Sequence, residues 1–106
     1  MSDFIRLSVK TSLSQCEIFH ILVESLPDMS WRMGDSDTQG LYVSGRGACY
    51  EQIQIWLDDS VADVSINLRG VICVDQERDI WRSRFIDNVM MKALIKIGEL
   101  GTPAFF

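Results

Sequence analysis

The sequence predicts an α+β fold: one domain with a mainly antiparallel sheet of four to five strands and two helices packed on one face. Three observations lead there. Several segments alternate apolar and polar residues with period two, two others repeat apolar residues at helical spacing, and 106 residues suffice for one modest core. The expected order is β-α-β-β-β-β-α, with the helices covering one side of the sheet.

Ile5, Leu7 and Val9 alternate with Arg6, Ser8 and Lys10 and give the first strand. In "LSQCEIF", Ser14 and Glu17 have capping-box spacing, and Leu13 and Ile18 have the spacing of a hydrophobic staple, so a helix begins at Gln15. Ile18 and Leu22 mark its inner face, and Pro27 stops it near Leu26. "MSWRM" and "GLYVS" are strand candidates on either side of an aspartate-rich loop. "YEQIQIWLDDSVADVSINLRG" is the clearest hairpin. Ile53, Ile55 and Leu57 alternate with Gln52, Gln54 and Trp56, "DDS" makes the turn, and Val64, Ile66 and Leu68 continue on the second arm. "GVICV" reads as an extension of that arm past Gly70. From Asp79 to Leu100 the apolar positions fit one long amphipathic helix, with Asp75 or Asp79 available as its cap and Gly98 or Gly101 with Pro103 to end it.

Apolar residues make up 47% and charged residues 24%, values of a chain that folds by itself. No apolar run approaches the roughly 20 residues of a bilayer span. The start lacks the basic and apolar pattern of a secretory signal, so a cytoplasmic protein with no membrane partner is expected. Cys16, Cys49 and Cys73 form no C-x-x-C pair and are odd in number, which favours reduced thiols.

The net charge of −5 is unevenly spread. Residues 17–63 hold nine acids against Arg32 and Arg46, whereas from Arg78 onward five cations face three acids. Such asymmetry steers partners more than it builds folds.

The chemistry-bearing patterns are sparse. Asp35, Asp37, Gln39 and Gly40 imitate positions one, three, five and six of a calcium loop, yet Arg46 stands where the bidentate carboxylate belongs. "GLYVSGRG" lacks the lysine ending and following helix of a phosphate loop. Neither metal nor cofactor is expected. Cys16 and His20 share a helix face at i, i+4, but no oxyanion or orienting motif accompanies them. Arg78, Arg82 and Arg84 are too short a cluster to predict nucleic-acid binding by an acidic chain. No enzyme is expected.

A protein-binding surface remains. If Ile53, Ile55 and Leu57 point inward, Trp56 points out, and Tyr50 has the same parity. These aromatics suit interface anchoring. Asp35, Asp37, Glu51, Asp58, Asp59 and Asp63 lie around them in sequence and would meet a basic partner.

A small acidic α+β domain with an acidic aromatic face around "YEQIQIWLDD" resembles bacterial immunity proteins of the polymorphic-toxin and contact-dependent growth-inhibition type. The resemblance implies a stoichiometric inhibitor that occludes the active site of a cognate basic toxin domain, often a nuclease. Trp56 and Tyr50 would anchor that contact, and the six acids would pair with toxin lysines or arginines. The rival expectations are a homo-oligomeric structural or adaptor subunit, monomer and weak dimer both being open, and a small enzyme using Cys16 or Cys49.

Overall fold

A computed structural model describes residues 3–71 and 78–106 of the chain. Strand β1 (Phe4–Lys10) leads into helix α1 (Gln15–Ser25), followed by β2 (Ser30–Ser36), β3 (Gly40–Arg46), β4 (Gln52–Asp58) and β5 (Val61–Asn67). A second helical segment runs as α2 (Arg78–Asn88), a π-helical stretch (Val89–Leu94) and the short α3 (Ile95–Ile97). Two-residue strands β6 (Glu99–Leu100) and β7 (Ala104–Phe105) finish the chain. The α+β architecture expected from the sequence is therefore present, with the two short C-terminal strands added.

Among the described residues all pairings are antiparallel, in the order β2-β3-β4-β5-β1-β6, with β7 also on β1. The crossover from β1 to β2 runs through α1 over one face of the sheet, and three hairpins then return strand by strand to β1. Tail strands β6 and β7 hydrogen-bond to opposite ends of β1 and cover its outer edge. Among the described residues β2 is paired on one side only.

Period-two patterning sets which face is inside. Ile5, Leu7, Val9, Val43, Ile53, Ile55, Ala62, Val64 and Ile66 form the sheet's half of the core. Ile18 and Leu22 of α1, and Ile86, Val89, Ala93, Leu94 and Ile97 of the C-terminal helical segment, close over them. Both helices thus lie on one face and leave the other open. Each fully buried Ile or Leu contributes roughly 1.5–3 kcal/mol relative to exposure.

The local signals explain the boundaries. Ser14 Oγ accepts from Glu17 N at 3.2 Å, and Glu17 Oε1 accepts from Ser14 N at 3.0 Å, completing the capping box. The β4–β5 hairpin closes at Asp58 and Val61, with Asp59 at φ 48°, a left-handed conformation that aspartate tolerates better than most residues.

The last helix departs from expectation in two ways. It contains a π stretch, which apolar spacing does not reveal, and it stops at Ile97. There Gly98 lets the chain pass β1, since a Cβ at Gly98 would lie 1.8 Å from the Lys10 carbonyl oxygen. The expected strand through "GVICV" is not continuous with β5, which closes at Asn67; its residues 72–74, including Cys73, and the cap candidate Asp75 lie outside the described residues. Among the described residues no helix is long and apolar enough to cross a membrane.

Candidate partner-binding surface

The open face can be read from register alone. Phe4, Asn67, Gln52, Arg46 and Ser30 form one row across five strands, and Arg6, Ser65, Gln54, Ser44 and Arg32 form the next. The third row is Ser8, Asp63, Trp56, Tyr42 and Gly34. Residues in a row share a face because antiparallel partners do.

The third row carries the aromatic feature. Trp56 is half-buried, and its ring centroid lies 5.4 Å from that of Tyr42, with the planes at 59°. Tyr42 leans the other way over Gly34, where a Cβ would come within 2.6 Å of its hydroxyl oxygen. On the other side of Trp56, Asp63 pairs with Arg6 at 2.9 Å. Both groups of that ion pair are about half exposed, so it contributes little beyond fixing Asp63 beside the indole.

Four aspartates lie near this row at the turn end of the strands, not all on its face. Asp35, next to last in β2, has the parity of Met33 and inward Val43, so it stands on the helix side of the sheet and not with Trp56 as expected; Asp37 lies in the β2–β3 turn, Asp58 closes β4 on the open face, and Asp59 follows in the β4–β5 turn. The two hairpin turns project from the same end of the sheet because β2–β3 and β4–β5 run in the same sense. All four side chains are exposed, and none makes an ion pair among the described residues.

Tyr50 and Glu51 are elsewhere. They occupy the β3–β4 loop at the opposite end of β4, about 20 Å from Trp56 by strand rise. Tyr50 is exposed, with φ 69°. Glu51 is buried, its Oε1 accepts from Cys49 N at 3.0 Å, and its side chain fills the space that a Cβ at Gly47 would enter. Its carboxylate organises the loop rather than the outer surface. Sequence proximity had grouped these residues with Trp56, but a strand separates its two ends in space. The aromatic that does adjoin Trp56 is Tyr42, whose outward parity opposite inward Val43 was readable once β3 was paired with β4.

The face is also less uniformly acidic than the sequence suggests. Arg6, Lys10, Arg32 and Arg46 stand on it together with Asp58 and Asp63. Acidity is confined to the turn end, and the first two rows form a polar trough.

The remaining chemical candidates resolve simply. Cys16 is an exposed free thiol and His20 is exposed with its ring edge-on to Phe19 at 6.0 Å. Cys49 is disulfide-bonded, which corrects the expectation of three reduced thiols and removes it as a nucleophile. Among the described residues no three His, Cys, Asp or Glu side chains are grouped to hold a metal ion. No protein-family model and no curated protein sequence matches this chain.

Proposed function

We propose that the chain is a protein-binding inhibitor of the immunity type, which docks a basic toxin domain on the turn end of its open sheet face. One observation carries the reading: the Tyr42–Trp56 pair lies on the sheet face away from the helices beside Asp63, with Asp58 on that face and Asp37 and Asp59 in the turns at the same end. Aromatic anchors ringed by unpaired acids suit a lysine- or arginine-rich partner. The rings contribute buried area, and the aspartates accelerate encounter and select charge.

The test is co-expression of the tagged chain with the product of the neighbouring upstream reading frame, followed by capture at low and moderate salt. A one-to-one complex with a basic protein that is toxic alone is expected. Trp56→Ala should weaken it by about 2 kcal/mol or more. Asp58→Lys combined with Asp59→Asn, which keeps a residue tolerant of the left-handed turn, should chiefly slow association. Absence of a partner at both salts, or a complex indifferent to both variants, would overturn the proposal.

A second reading, self-association through β2, is favoured by the one-sided pairing of that strand and by exposed Met33 and Leu41 beside it. Sedimentation over a range of concentrations separates the two, since self-association raises the mass of the isolated chain.

A further inference from the structure

The trough on the first two rows of the open face has a chemistry unlike the rest of the molecule. Its volume is about 420 Å3, and its lining includes Arg32 and Arg46 with Gln52, Gln54 and Asn67, closed at one side by Phe4. Among the described residues no acidic side chain lines it, although the chain has 15 Asp and Glu against 10 Lys and Arg. Arg6, Arg78 and Arg82 each have a carboxylate partner, but among the described residues Arg32 and Arg46 have none.

Register places the two unpaired arginines together. Arg46 is opposite Ser30 and Arg32 is opposite Ser44, so they are diagonal neighbours about 7 Å apart on one face. Two like charges at that spacing repel, and an anion held between them removes the repulsion. Two guanidinium forks offer more donors than one carboxylate accepts. A phosphate monoester, with three terminal oxygens and a charge of about −1.5 to −2, matches them in number and charge. Beyond the arginines, Gln52 adjoins Arg46 and Asn67 adjoins Gln52, while Gln54 adjoins Ser44. Their carboxamides both donate and accept, as a neutral polar body requires.

We propose that this trough is a binding site for a small phosphate monoester, with Arg32 and Arg46 clamping the phosphate and Gln52, Gln54 and Asn67 holding the polar body. The site goes beyond the protein-binding reading and does not depend on it, because it uses other rows of the face.

The experiment is an NMR titration of the full chain, following arginine Nε–Hε signals with three probes: inorganic phosphate, a hexose phosphate and a nucleoside monophosphate. Saturable shifts at Arg32 and Arg46 are expected, with at least one ester binding more tightly than inorganic phosphate, and the tighter ester identifies the body. Arg32→Gln with Arg46→Gln should weaken that ester by about tenfold or more. Asp58→Lys should leave it unchanged, which separates this site from the acidic turn end. The proposal is overturned by no saturation up to about 10 mM, an affinity too weak for a built site. Equal shifts at Arg84, or equal affinity in the double glutamine variant, would also overturn it. Equal affinity for all three probes would overturn it as well, because the trough would then hold phosphate alone and no ester body.

Discussion

Tyr42 and Trp56 face each other across the β3–β4 ladder with ring centroids 5.4 Å apart, and Tyr42 is free to tilt because its neighbour on β2 is Gly34. The pair is a cross-strand aromatic contact on a solvent-facing surface, so its effect on folding is separable from any effect on binding. A double-mutant cycle of Tyr42→Ala and Trp56→Ala in urea denaturation should give a coupling of about 0.5–1.5 kcal/mol. A coupling near zero would mean that the rings are neighbours without interacting.

Asp3 ties the start of β1 to the C-terminal helical segment. Its two carboxylate oxygens lie 3.2 Å from Arg78 Nη2 and 3.6 Å from Arg82 Nε, and Arg82 is buried. Removing the acid leaves a buried cation without a counter-charge, so Asp3→Ala should destabilise by about 2–4 kcal/mol in urea denaturation. Arg82→Met should be far milder, because it removes the charge along with the need for a partner.

Gly98 passes so close to Lys10 that any side chain must displace backbone. Gly98→Ala should cost about 2–3 kcal/mol, read from the urea midpoint, and should expose β1 to amide hydrogen exchange along the edge that β6 covers.

Acid should selectively weaken the start of α1. Glu17 is held below the ordinary value of 4.5 by the hydrogen bond from Ser14 backbone N–H, reinforced by that with the Ser14 side chain. Its folded value is thus lower than its unfolded one. The carboxylate's stabilisation is present above about pH 4.5 and is lost as pH falls through the lowered value. Urea midpoints of wild type and Glu17→Gln should converge on acidification below that range, since the glutamine keeps an acceptor but carries no charge.

Much of the fold was legible because its signals are local. Period-two alternation at Ile5, Leu7 and Val9, and at Ile53, Ile55 and Leu57, fixed both strands and inward faces, and Ser14 with Glu17 marked the start of α1. The tail strands were not legible, because two residues on each side of Pro103 carry no periodicity and form only by lying against β1. The π stretch was invisible for a related reason, since buried positions 86, 89, 93, 94 and 97 also suit a regular helix. At the surface, parity placed Trp56 outward, but parity cannot say which residues meet across strands. That needed the register, which brought in Tyr42, moved Tyr50 to the far end of β4 and revealed the arginines beside the trough.

The asymmetry of the sheet's two edges limits how copies of this protein can join. Fibre growth by strand addition needs both a donor and an acceptor edge on every copy. Here residues 99–105 occupy the β1 side, leaving β2, among the described residues, as the one long strand with an unpaired flank. Two copies meeting there would form a pair whose outer flanks are only the two-residue strands β6 and β7, so residues 99–106 act as a chain terminator for polymerisation.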